Sequence, residues 1–122
     1  MHKVLFYRDK KGGSPVLDYL HKLAASKSKD SRIKLTKIGD YLQMLKEHGT
    51  QAGEPYVKHL DGAIWELRPI RDGILFVAYT GDSYVLLHHF MKKTQKTPAK
   101  EIAKAKLEYE DLLARGSVYG KD

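Results

Sequence analysis

The spacing of apolar positions switches along the chain between two and three-to-four, and each switch predicts an element. Val4 to Tyr7 is a short apolar run and reads as an opening strand. Asp9-Lys10-Lys11-Gly12-Gly13 is a turn. Ser14-Pro15 starts a helix, because serine can cap free amides and proline at the first position loses no needed donor. Val16, Leu17, Leu20, Leu23 and Ala24 then recur at helical spacing. Ser26 to Ser31 breaks the pattern. A second stripe follows through Leu35, Ile38, Tyr41, Leu42 and Leu45, and Gly49 ends it. Gly53-Glu54-Pro55 opens a loop that closes at Asp61-Gly62.

Three strands are expected next: Ile64 to Ile70, Ile74 to Thr80, and Tyr84 to Phe90. Asp72-Gly73 and Gly81-Asp82 supply the turns. Connections this short force an antiparallel meander. Thr97-Pro98 is expected to cap a last helix carrying Ile102, Ala105, Lys106, Tyr109, Leu112 and Leu113, with Gly116 closing it. The fold class is therefore α+β: an N-terminal strand and a helical hairpin packed on an antiparallel sheet with a three-strand meander, then a C-terminal helix. A single domain is expected over residues 1–116, followed by a short, loose polar tail at 117–122. The hairpin would cover one sheet face and leave the other partly open.

Composition narrows the function. The 122 residues carry 22 Lys plus Arg against 15 Asp plus Glu, a formal +7 at pH 7, which points to an anionic partner such as nucleic acid. Cysteine is absent, so disulfides, thiolate nucleophiles and thiolate metal sites are excluded. The residues Met1 to Arg8 are too polar for a secretory signal, and no long apolar run suggests a membrane span. A cytoplasmic protein is expected. No cofactor is expected, and no metal, because His, Asp and Glu show no ligand spacing.

Candidate chemistry gathers around two segments. In Ile64-Trp65-Glu66-Leu67-Arg68-Pro69-Ile70, Glu66 and Arg68 share one face of a strand while Trp65 and Leu67 share the other. Arg68 presents a planar fork of donors suited to a phosphate; a simple ion pair with Glu66 is the competing reading. Glu66 could serve as a general base or orient Arg68. Arg71 lies in the following turn, where it could reach over a cleft or cap the hairpin. The second segment, Leu86 to Pro98, leaves the sheet through Lys92 and Lys93. Lys96 and Lys100 add long-range attraction for phosphates. His88 and His89 are adjacent in a strand and must face opposite sides, one toward the hairpin and one toward the open face, where an imidazole would suit proton transfer.

The order of elements, Ile64-Trp65-Glu66-Leu67-Arg68, and Leu86-Leu87-His88-His89-Phe90-Met91-Lys92-Lys93-Thr94-Gln95-Lys96-Thr97-Pro98 together resemble the phage-derived Gp49-like branch of the RelE/ParE toxin superfamily, whose bacterial members are often called HigB-type toxins. The resemblance implies a RelE-like fold and the toxin of a type II toxin–antitoxin system. It implies a metal-independent endoribonuclease that cuts mRNA on the ribosome and is neutralised by a cognate helix-turn-helix antitoxin of the HigA type, in a higher-order complex. By position, Arg68, Lys92 and Lys93 match basic catalytic positions of such toxins, and Glu66 and Arg71 join them as candidates; Lys96, Lys100 and His88 are candidates for RNA binding. One departure stands out: many such toxins carry an arginine within the strand that here reads Ile74-Leu75-Phe76, so either Arg71 replaces it or this branch works without it. The alternatives are a ParE-like gyrase inhibitor on the same fold, and a non-catalytic module that binds RNA or a protein.

Overall fold

The computed structural model describes residues 1–120. The elements run β1 (Lys3–Tyr7), α1 (Pro15–Ala25), α2 (Lys29–His48), β2 (Val57–Asp61), β3 (Ile64–Leu67), β4 (Asp72–Ala78), β5 (Ser83–Met91), α3 (Ala99–Arg115) and β6 (Val118–Tyr119). One six-stranded sheet has the order β2-β3-β4-β5-β1-β6. Strands β2 to β5 form an antiparallel meander. β1 joins β5 in parallel, with Leu5 beside Val85, because the helical hairpin carries the chain back across the sheet. The fold class is α+β, as expected, with a sheet extended at both edges.

Both faces of the sheet are covered. Helices α1 and α2 pack Val16, Leu23, Ile38 and Leu45 onto Leu67, Ile74, Phe76, Tyr84 and Leu86. Ser28 caps α2 by accepting from the Ser31 amide at 3.1 Å. Gly49 ends α2 at φ 60, and a Cβ there would lie 2.6 Å from the Tyr84 hydroxyl, so that helix end can meet β5 only through glycine. On the opposite face α3 lays Ala105 and Leu112 on Leu5, Leu75, Val77, Val85 and Leu87. The expectation of an open face is therefore corrected: α3 carries enough apolar surface to close it.

Three further differences have local causes. β2 occupies what reads as loop, because its burial alternates irregularly and only Val57 is buried. The turn expected at Asp72-Gly73 lies earlier, at Pro69 to Arg71; β4 begins at Asp72, whose amide donates to the Pro69 carbonyl at 3.0 Å. Finally, Val118 and Tyr119 add β6 beside β1, tied down by a bond from the Tyr119 hydroxyl to the Gly12 carbonyl, so the expected loose tail is a sheet edge. Lys121 and Asp122 of that tail lie outside the described residues. No described helix is long and apolar enough to cross a membrane.

A bulge in β5 decides where the two histidines go. Leu75 pairs with His88, but Phe76 pairs with Leu86, so β5 holds one extra residue at Leu87. Leu87 and His88 consequently both face α3. His88 is 1% exposed, with Nδ1 bonded to Glu108 and Nε2 3.0 Å from Glu101. His89 turns toward α1 and stacks on Tyr19 at 3.6 Å between ring centroids. Neither histidine reaches an open face.

Burial, and then the charge of His88, push the His89 imidazole down from its ordinary 6.5 to about 4. A base whose folded pKa is depressed stays neutral in the native state, so its contribution is complete above about 6.5 and is lost as pH falls from there toward about 4. His89→Phe keeps a ring on Tyr19 and removes the titration. Urea midpoints at about pH 7 and about pH 5 should fall less in the variant than in the parent chain. Equal losses in both would assign the pH dependence elsewhere.

Candidate functional site

At the end of the sheet where β3 leaves and β5 exits, a carboxylate lies under protein on every side. Glu66 is 0% exposed. It stands in a cross-strand row with Leu75 and His88, on the face that α3 covers. Its neighbour in the adjacent strand is Gly73, where a Cβ would come within 2.7 Å of both Glu66 Oε2 and the Phe90 ring. Position 73 has room for hydrogen alone. The carboxylate takes the space that a side chain would otherwise fill.

A buried carboxylate must be neutralised and hydrogen-bonded where it lies. Three groups do so. Lys92 Nζ donates to Oε1 at 2.7 Å, Arg68 Nε approaches the same oxygen at 3.1 Å, and Thr97 Oγ1 donates to Oε2 at 2.8 Å. Thr97 was expected to cap α3; its hydroxyl serves Glu66 instead, and Pro98 stands at the cap position without a side-chain bond. The cations are anchored further by the exit loop. Arg68 Nη2 donates to the Gln95 carbonyl at 3.1 Å, Nη1 meets Glu54 at 3.2 Å, and Lys92 Nζ also donates to the Gln95 carbonyl at 3.3 Å. The side chains of Arg68 and Lys92 are 15% and 6% exposed. Together these bonds clip the loop from Lys92 to Pro98 onto the end of the sheet.

Two hollows flank this clip, and Gln95 borders both. One, of about 500 Å³, is lined by Ile70, Arg71, Lys92, Lys93, Thr94 and Gln95. The other, of about 390 Å³, takes in Lys58, His59, Arg68 and Lys96 among its lining. The sequence-predicted residues therefore divide. Arg68, Lys92 and Glu66 form the buried network. Arg71 and Lys93 are exposed beside it, and neither makes an ion pair among the described residues. Lys96 joins the second hollow. Lys100 is exposed on the first turn of α3, and lines neither of the two hollows. His88 is sealed beneath α3, away from both hollows. Gln95, Thr97 and Gly73 belong to the arrangement and were missed, because no spacing in the sequence links them to Glu66.

The arrangement can do two things chemically. Glu66 accepts from Lys92 and Thr97 and pairs with Arg68, so it orients the two cations and has no exposed oxygen with which to remove a proton from a substrate. Arg71 and Lys93, with the edge of Lys92, offer donors and positive charge to an anion in the larger hollow. An α+β arrangement of this order, with three α-helices and a largely antiparallel sheet among the described residues, is compatible with a RelE-like fold.

The sequence profile of the family described as phage derived protein Gp49-like (DUF891) matches residues 18–110. That span is more than half of the chain and includes Glu66, Arg68 and the whole basic exit. The chain belongs to this family, which is the RelE/HigB-type toxin family of toxin–antitoxin systems. No curated protein matches it.

Glu66→Gln keeps the shape and removes the charge that two cations share. It should destabilise the chain by about 3 kcal/mol, the cost of leaving buried partners uncompensated. Lys93→Ala, on the surface, should stay within about 0.5 kcal/mol. Urea denaturation followed by circular dichroism separates the two, and an unchanged midpoint for Glu66→Gln would mean that the network does not hold the exit loop.

Proposed function

We propose that this chain is a toxin that cleaves mRNA on the ribosome and is held inactive by a cognate antitoxin. The observation that carries the reading is the division of charge at the sheet end. Arg68 and Lys92 are fixed by Glu66, while Arg71 and Lys93 face solvent beside them, next to a hollow large enough for part of a nucleotide chain. Membership in a toxin family supports the biological role. The formal charge of +7 suits a polyanionic substrate.

The reaction needs no metal. The ribose 2′-oxygen attacks the adjacent phosphorus, forming a new P–O bond as the bond to the 5′-oxygen breaks. One proton leaves the 2′-hydroxyl and one reaches the departing 5′-oxygen. Charge builds on the non-bridging phosphate oxygens in the transition state, and preorganised cations stabilise it without rearranging. Arg71 and Lys93 are the groups placed to meet those oxygens. Arg68 and Lys92 hold the loop that presents them and add their own charge from the side. Glu66 is a positioning residue. Lys96 and Lys100 contribute attraction at longer range.

The partner antitoxin is expected to carry acidic segments, since the surface it must meet is basic. Such a pair associates at a rate that falls with added salt. A helix-turn-helix antitoxin and a higher-order complex follow from the family resemblance and belong to the same proposal.

Mapping of mRNA 5′ ends after induction, with and without translation, tests the activity. New ends that appear only when the message is translated are expected, together with growth arrest. Arg71→Ala and Lys93→Ala should each keep the fold and lose about a hundredfold in cleavage, the lower end of the range set by removing one transition-state donor. Arrested growth without new 5′ ends would move the reading to gyrase inhibition on the same fold, and full activity in both variants would remove these two cations from the site.

A further inference from the structure

Among the described residues, Ile70 is the only non-glycine residue with a positive φ, at 51°. A side chain branched at Cβ is a poor occupant of that region, because Cβ crowds the backbone. Burial does not compensate, since Ile70 is 56% exposed. The conformation is imposed from both sides: the Asp72 amide donates to the Pro69 carbonyl at 3.0 Å, and the Lys92 amide to the Arg71 carbonyl at 2.7 Å. Glycine would satisfy this turn without strain, yet a bulky apolar side chain stands there in solvent.

Its surroundings say what it could meet. Ile70 is the apolar member of the hollow otherwise lined by Arg71, Lys92, Lys93, Thr94 and Gln95. An apolar side chain flanked by unpaired cations matches the split character of a nucleotide, which has a flat, weakly polar base and a charged phosphate. A protein partner would call for apolar surface that continues beyond one residue, and the other side chains lining this hollow are three cations, a threonine and a glutamine. Single-stranded RNA offers bases freed from stacking, which is how proteins commonly grip it.

We propose that Ile70 is a nucleobase contact: one base of single-stranded RNA lies against its side chain while the adjoining phosphate meets Arg71 and Lys93. This rests on the RNA-cleaving reading of the same site and adds to it a residue that holds the base and not the phosphate. The strained turn is what lifts the side chain to the rim of the hollow.

Ile70→Gly isolates the side chain, because it relaxes the backbone as it removes the contact. The variant should melt at or above the temperature of the parent chain. Its affinity for a short single-stranded RNA should drop about tenfold, toward the lower end of what base contacts contribute. The dependence of affinity on salt should be unchanged, since no phosphate contact is lost, whereas Lys93→Ala should lower the log–log salt slope by about one. With the same RNA carrying abasic nucleotides, parent and Ile70→Gly should bind alike.

Equal binding of ordinary RNA by parent and variant overturns the proposal. So does a parent chain that fails to distinguish ordinary from abasic RNA, a variant that melts lower while keeping RNA affinity, or one that loses antitoxin affinity alone. Base-dependent binding through Ile70 without cleavage on translating ribosomes would sink the nuclease reading and leave this one standing. Cleavage that survives unaltered in Ile70→Gly would do the reverse.

Discussion

A carboxylate taken out of water must find its counter-charges inside the fold, and Glu66 imposes that demand on the whole end of the sheet. The consequences run outward from it. Position 73 must be glycine for the carboxylate to fit. Thr97 must give up its hydroxyl, so α3 begins at a proline without a side-chain cap. Lys92 must fold back toward β3, and the exit loop comes with it through Gln95. A segment that would otherwise be a solvated lysine-rich linker is thereby held against the sheet in a defined shape. Burial of such a network is weak support for stability in itself; its effect here is to fix where the neighbouring charges point.

That constraint also separates cations that look equivalent. Lys92 and Lys93 are adjacent and chemically identical, but one is 6% exposed and bound to Glu66 while the other is exposed. Arg68 and Arg71 divide in the same way. Each pair contributes one anchored and one outward member, and the outward members border the same hollow. A surface built like this carries its two exposed cations on backbone that is already held in place, so less chain freedom would be lost if an anion bound there.

Most of the fold was legible in the chain because apolar spacing states which residues are buried. The helices through Leu23, Ile38, Leu45 and Leu112, and the meander from Ile64 to Phe90, are visible as periodic stripes. What escaped has physical reasons. β2 and β6 are edge strands with few buried side chains, so no alternation marks them. α3 carries just two apolar residues that are fully buried, Ala105 and Leu112, and its stripe alone does not say that it closes the second sheet face. The pairing of Glu66 with Arg68 could be read from their shared strand face. The joining of Glu66 to Lys92 and Thr97 could not, because those bonds bridge 26 and 31 residues of chain and depend on how the loop returns.

The bulge at Leu87 shows how far one unpaired residue can redirect such readings. Strict alternation correctly puts His88 and His89 on opposite faces. It would also place His88 with Leu86, toward α1 and α2, and His89 with Leu87, toward α3. One inserted residue reverses both assignments. His88 then meets Glu101 and Glu108, and both ring nitrogens face carboxylate oxygens. The two contacts lie at opposite edges of the ring and a helical turn or more apart on α3, so the imidazole spans that stretch of the helix and fixes its register on the sheet. The loop from Lys92 to Pro98, which closes over Glu66 through Lys92 and Thr97, leads directly into α3. The histidine that reads from sequence as a surface group for RNA is thus an anchor for α3, on the same sheet face as the buried carboxylate, and α3 is the helix into which the loop over that carboxylate runs.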